Sequence, residues 1–262
     1  MAAVGSHIPL PLRDQPDRPS RARSPDAVLG RLRQAGCRTL MLGSGDELLR
    51  CGVPPSSLLV VDRGAVVAVA TASTGRRAIL EVLGPGDVLG EEAIQGNPDG
   101  SGWWNRSDPP GLPRKAGLCP EARALGAAHV LVPSRLDLER ALGGTEAVSA
   151  WLALSLARRL ALLRLAVSQI LSQPVAERVL SVLETLADRH GRPCATGVAI
   201  GVPLTQDDLA SMVGATRESV NRAVRDLRAR GMLGRRGRTY VWTAAASRPH
   251  HRNGQSPWRP GR

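Results

Sequence analysis

At 262 residues the chain can hold one large or two modest domains around a real hydrophobic core. Its 35 Lys and Arg against 23 Asp and Glu leave a formal charge of +12, and thirteen arginines against four acids lie from Arg192 onward, which suits a polyanionic partner at that end. No run of about 18 uncharged apolar residues is present, which excludes a membrane span, and the N-terminus lacks the compact apolar core of a signal peptide, so a cytoplasmic location is expected.

Residues 1–25, rich in Pro, Arg, Ser and Asp, read as a disordered arm. Val28, Leu29 and Leu32, then Leu40, Met41 and Leu42, read as a short amphipathic helical entry over 26–42. Leu58–Val61, Ala65–Ala70 and Ala78–Leu83 are β-favouring runs, punctuated by Asp62-Arg63-Gly64, Ser73-Thr74-Gly75 and Gly84-Pro85-Gly86-Asp87. Short strands joined by glycine turns predict an antiparallel roll or barrel. Residues 96–120, dense in Gly and Pro, predict a long irregular loop. Its adjacent Trp103 and Trp104 would cover a core edge or line a pocket. Arg123–Leu125 and His129–Pro133 predict a further strand pair.

Residues 145–171 carry the longest helical pattern. Leu152, Leu156, Leu160, Leu163, Val167 and Ile170 step by four or three, a seam suited to a partner helix. Trp151, Leu154, Leu162 and Leu165 add a second apolar face, and a helix apolar on two sides must bury both. Pro174 ends this helix, leaving Ser172 and Gln173 as a hinge, and Val179, Leu180, Leu183 and Leu186 mark another amphipathic helix over 174–191.

The segment 204–231 is the most specific in the chain. Thr205 with Asp208 three residues on is a helix start of the capping-box kind. Leu209, Met212 and Val213 give one apolar face, and Gly214 ends the helix. Thr216 can cap a second helix whose buried face is Val220, Ala223, Val224 and Leu227. Arg217, Glu218, Asn221, Arg222 and Arg225 remain on its other side, as reading base edges in a major groove requires. Leu233 to Trp242 read as a small hairpin with Arg235, Arg236 and Arg238 near its tip, placed to meet phosphates. Residues 244–262 read as a disordered tail.

Residues 204–231 resemble the helix-turn-helix of the Crp/Fnr family of bacterial transcription regulators, with its Arg-Glu-x-Val-x-Arg pattern falling on Arg217, Glu218, Val220 and Arg222. Gly84–Glu91 and the strand order before and after it resemble the family's cyclic-nucleotide-binding-type β-roll. The resemblance implies an α+β architecture: a roll over 26–144, a dimerisation helix over 145–171 and a winged-helix DNA-binding domain over 172–243. It implies base reading by Arg217, Glu218 and Arg222, phosphate contacts by Thr205, Thr216, Ser219, Arg235, Arg236 and Arg238, a homodimer on an inverted repeat of double-stranded DNA, and RNA polymerase as a further partner. In members that bind cyclic AMP, an Arg-Ser or Arg-Thr pair clamps the cyclic phosphate. Here that position aligns with Leu118-Cys119, which cannot neutralise a phosphate, and Arg106-Ser107 is followed by Asp108-Pro109-Pro110 rather than a strand. A small-molecule effector at Gly90, Glu91, Arg106 and Ser107 is left open, with cyclic AMP not expected and no cofactor called for.

Cys37, Cys51, Cys119 and Cys194 form no Cys-x-x-Cys pair, and the closely spaced N-terminal cysteines of the family's iron–sulfur members are missing, so idle thiols and no metal are expected. Neither a phosphate-binding Gly loop nor a nucleophile–base pair is visible, which argues against an enzyme. The alternative to a DNA-binding regulator is a signal-sensing module acting through protein contact.

Overall fold

The computed structural model describes residues 25–50, 55, 57–71, 77–91, 93, 121–237 and 239–243. Residues 1–24, the 96–120 segment with Trp103, Trp104, Arg106, Ser107 and Cys119, together with Cys51, Arg238 and 244–262, lie outside them, and so do the expectations placed there.

In chain order the N-terminal half comprises α1 (Pro25–Gln34), β1 (Arg38–Leu42), β2 (Glu47–Leu49), β3 (Leu59–Arg63), β4 (Val66–Thr71), β5 (Arg77–Leu83), β6 (Val88–Leu89), β7 (Glu121–Ala124), β8 (Ala128–Val132) and α2 (Arg135–Leu142). Two four-stranded antiparallel sheets, ordered β1-β8-β3-β6 and β2-β7-β4-β5, face each other. Between them lie Leu59, Val61, Val66, Ala68, Leu83, Leu89 and Val130.

The unbroken apolar runs in β3 and β4 have a physical reason: both faces of each sheet are covered. Val60 turns away from the inner core and joins Val28, Leu29 and Leu32 of α1 and Leu138 of α2. Val67 and Val69 turn the other way, onto the C-terminal half. An ion pair fixes the first of these layers, with Arg33 Nη2 2.5 Å from Oδ1 of Asp62, a buried carboxylate on β3.

The long helix α3 (Thr145–Ser172) runs 28 residues. Gln173 ends it in an extended conformation, and the chain turns through Pro174 into α4 (Val175–His190). Then come β9 (Gly191–Cys194), β10 (Gly197–Ile200), α5 (Gln206–Val213), α6 (Arg217–Ala229), β11 (Leu233–Arg236) and β12 (Thr239–Thr243), with a sheet ordered β11-β12-β10-β9. Leu183, Leu209, Val220, Leu227 and Tyr240 form this half's core, which continues without a gap into Val67, Val69, Ile79 and Val82 of the roll. The whole is an α+β fold: an antiparallel roll, a long helix and a winged helix-turn-helix.

Three readings of the sequence need correction. Leu40, Met41 and Leu42 are strand, not helix: β1 pairs with β8, Leu40 opposite Val130, and a short apolar run takes the state its partner strand imposes. The strands near 123 and 130 do not pair with each other; β7 adds to β4 while β8 adds to β1 and β3, so the intervening turn crosses between sheets. Pro25 already belongs to α1 rather than to the arm. Also not anticipated were the short strands β2 and β6, α2 with its Ser134–Asp137 capping box, and the β9–β10 hairpin that widens the wing sheet.

Candidate nucleic-acid interface

Local chemistry builds the reading head. The Thr205 hydroxyl accepts from the Asp208 N–H at 3.1 Å, and the Asp208 carboxylate accepts from the Thr205 N–H at 3.0 Å, so two orphan donors at the start of α5 are satisfied reciprocally. Gly214 sits at φ 61°, ψ 44°, the left-handed region that glycine enters without a Cβ penalty, and its N–H returns to the Ala210 carbonyl. Thr216 then caps α6, accepting from the Ser219 N–H at 3.3 Å.

On α6, Val220, Ala223, Val224 and Leu227 are buried, whereas Arg217, Glu218, Arg222 and Arg225 are exposed. At about 100° per residue, Arg217, Asn221, Arg225, Glu218 and Arg222 fall within an arc of about 140°. The Glu218 backbone N–H and the Thr216 hydroxyl, with the Arg217 charge, hold the Glu218 carboxyl below its usual range, so it is an acceptor only. Arg217 Nη1 lies 3.4 Å from Asp207 Oδ2 on α5, both groups being exposed. Asn221 is engaged by Gln206, whose Nε2 donates to Oδ1 at 3.2 Å.

The expected phosphate anchors divide. Thr205 is exposed, yet its hydroxyl donates to Asp208 at 2.7 Å and is spent on the cap. Thr216 and Ser219 share a hydroxyl–hydroxyl hydrogen bond of 3.1 Å at the same end of α6. In the wing, Arg235 folds back, donating to the Gly237 carbonyl at 2.9 Å with its guanidinium 5.8 Å from the Tyr240 ring centroid. Arg236 is exposed beside it.

Of the expected effector residues, the two that are described, Gly90 and Glu91, are tied down. Gly90 has φ 74°, and a Cβ there would meet the Ser57 carbonyl oxygen at 2.6 Å, so the glycine is required by the turn and the close approach alike. Glu91 accepts from Arg159 of α3 at 2.5 Å. Sequence reasoning missed Arg159, which also donates to Glu81 at 2.7 Å, and Arg189 of α4, which donates to Asp87 at 2.6 Å. No sequence signal links residues 68 to 102 positions apart.

Along α3, Leu152 is buried with Val148 against α1, α2 and β3, which takes it out of the partner-helix seam expected from the sequence. Leu156, Leu160, Leu163, Val167, Ile170 and Leu171 are between 37% and 82% exposed and follow one side of the helix. Leu154 and Leu165 are exposed on another side.

Among the described residues no helix is long and apolar enough to cross a membrane, and no group of three or more His, Cys, Asp or Glu could hold a metal ion.

Known proteins share this arrangement. Residues 177–244 match the model of the Crp-like helix-turn-helix domain, and residues 40–101 match that of the cyclic nucleotide-binding domain. The chain is 29% identical over 197 residues to the CRP-like cAMP-activated global transcriptional regulator of Mycobacterium tuberculosis, a stretch that covers 75% of this chain and 80% of that protein. It is 24% identical over 186 residues to the anaerobic regulatory protein of Bacillus subtilis, covering 71% of each. In three dimensions it is similar to FixK2 from Bradyrhizobium japonicum, with a TM-score of 0.62 at 24% identity over 80% of this chain and 94% of that one. A CRP/FNR-family transcriptional regulator from Thermus thermophilus superposes with a TM-score of 0.59 at 21% identity, over 80% of this chain and 95% of that one. With a roll on the cyclic-nucleotide-binding plan and a capped, exposed helix behind it, the chain carries a Crp-like helix-turn-helix domain and is similar over 75% of its length to a CRP-like transcriptional regulator, the arrangement of Crp/Fnr family regulators rather than of an enzyme.

Proposed function

We propose that the protein works as a homodimer on an inverted-repeat operator, reading bases with Arg217, Glu218 and Arg222. The observation that carries this reading is the face of α6 on which these three side chains stand exposed while its opposite face is buried. Arg217 and Arg222 would donate to guanine O6 and N7, and Glu218 would accept from a cytosine amino group. Thr216, Ser219 and Arg236 would anchor phosphates, Thr205 acting through the cap it holds, and Arg235 after leaving Tyr240. The exposed stripe from Leu156 to Leu171 supports α3 pairing with a second copy, since half-exposed aliphatic side chains in that register gain about 1 kcal/mol each on full burial. Such a pair would set two copies of α6 one helical turn of DNA apart. RNA polymerase is the further partner this reading expects.

The roll is proposed not to answer to cyclic AMP, although the mycobacterial relative is cAMP-activated. Among the described residues, the ion-pair cluster that holds Glu91 has three carboxylates, Glu81, Asp87 and Glu91, to two guanidiniums, Arg159 and Arg189, which disfavours an added anion there. The test is selection of bound sequences from random duplex DNA, followed by titration of the winner with and without cyclic AMP. Arg217→Ala and Arg222→Ala should each relax preference at one position per half-site, by about 1–3 kcal/mol against the wrong base. Uniform weakening at every position would demote both to phosphate anchors, and tightening by cyclic AMP would overturn the effector reading.

A further inference from the structure

Three parts of the molecule meet at one cluster of charges. Glu81 from β5, Asp87 from the turn before β6, and Glu91 after it belong to the roll. Arg159 comes from α3 and Arg189 from α4, the first helix of the DNA-binding half. All five side chains are largely buried, Glu81 at 8% and Arg189 at 12% exposure. Three carboxylates face two guanidiniums, and one carboxylate oxygen is left without a hydrogen bond.

That oxygen belongs to Glu81. Its Oε2 takes the Arg159 Nε–H at 2.7 Å. Its Oε1 is buried without a hydrogen bond, with Arg189 Nη1 3.8 Å away, within ionic reach but beyond hydrogen-bond distance. Arg189 spends its other nitrogen on Asp87 at 2.6 Å, and Arg159 forks between Glu81 and Glu91. Burial holds the Glu81 carboxyl above the usual carboxylate range against the pull of both arginines, as an under-paired group should behave.

We propose that Glu81 is a shared acceptor coupling α3 to the DNA-binding half: Arg159 and Arg189 compete for its carboxylate, and withdrawal of Arg159 draws Arg189 from Asp87 onto Glu81, re-seating α4 against the roll. Withdrawal would follow from any event that shifts α3 relative to the roll, such as occupation of the Glu91 side. Withdrawal would orphan Oε2 beside the already unpaired Oε1, and a charge-assisted hydrogen bond from Arg189 would then offset a buried carboxylate with no donor at all. The path is short and physical: one carboxylate with two discrete partners. This inference rests on the reading of α6 as the base-reading helix.

Its test is a double-mutant cycle in the full chain. Arg159→Gln, Arg189→Gln and the pair would be measured for affinity toward the selected duplex, then repeated in a Glu81→Gln background. The two guanidiniums also repel each other directly, and that part of any coupling persists when Glu81 is Gln, so the relay is read from the difference between the two backgrounds. The expected result is non-additivity of about fivefold or more in the native background, falling to within about twofold when Glu81 is Gln. Arg159→Lys, which keeps the charge but cannot fork, should give the same sign if the Gln variants fail to fold. Hydrogen exchange of α4 amides in the DNA-free protein provides a second readout of the same cycle. A wild-type protein that selects no duplex overturns the proposed function while leaving the exchange cycle to judge the relay. Additive effects, or coupling undiminished by Glu81→Gln, overturn the relay itself.

Discussion

Arg123 of β7 donates from Nη2 to Oδ1 of Asp208 at 3.1 Å, and Asp208 is the same residue whose other oxygen closes the capping box of α5. One carboxylate therefore starts the first helix of the reading head and fastens it to the roll, 85 residues away. Asp208→Ala removes both roles from a group only 12% exposed, and is expected to cost about 2 kcal/mol, a cap plus a charge-assisted hydrogen bond. Arg123→Ala should cost less, since the cap survives. Urea unfolding of both variants checks the order; equal losses would mean the capping box contributes nothing.

In the proposed reading, Arg217 leaves Asp207 before it meets a base. Their pair is exposed at 62% and 66%, so it contributes little to stability. Asp207→Asn is expected to leave the melting temperature within about 1 °C and to tighten DNA binding about two- to fivefold by freeing Arg217 and removing a negative charge near the phosphates. Anisotropy titrations at two salt concentrations decide it, and unchanged or weaker affinity would show that Asp207 orients Arg217 productively instead.

The stripe on α3 makes a sharp prediction about assembly. Leu160 and Leu163 are 48% and 37% exposed in the single chain, so a charge at either position is tolerated by the fold but not by a helix pair. Leu160→Glu or Leu163→Glu should sediment as a folded monomer and bind a full operator no better than a half-site. A variant that remains dimeric would move the interface elsewhere.

His190 gives the expected pH dependence. Burial first, then the charges of Arg189 and Arg158, push its imidazole below the ordinary value, against the pull of Asp87 and the Val82 backbone. Its Nε2 is buried with no hydrogen bond. The folded protein therefore takes up the proton at lower pH than the unfolded chain, whose value is about 6.5. The associated stability is present above that pH and is lost as pH falls through it toward the folded value. Melting curves from about pH 8 to pH 5 should fall more steeply for wild type than for His190→Gln; parallel curves would assign the acid sensitivity to other groups.

The reading head was the most legible part of the chain because every signal in it is local. The Thr205 cap, the Gly214 stop, the Thr216 cap and the spacing of Val220, Ala223, Val224 and Leu227 each act over four residues or fewer. Leu40–Leu42 was misread for the opposite reason. A three-residue apolar run carries no period long enough to separate helix from strand, and its state depends on pairing with Val130, 90 residues on by the Leu40 register. The β9–β10 hairpin escaped notice because Gly191, Pro193 and Gly197 weaken the β-pattern that its partner β12 completes.

Composition and local pattern by themselves determined a basic C-terminal half, a capped helix-turn-helix and a long helix too apolar to stand alone, since caps, turns and amphipathic periods are written over a few consecutive residues. Tertiary structure alone decided which side of α3 stays uncovered, that Arg235 lies on Tyr240, and that Glu81, Asp87 and Glu91 meet Arg159 and Arg189. Those facts depend on burying both faces of the β4–β5 sheet, which brings distant charges into one low-dielectric place where each must find a partner or go without.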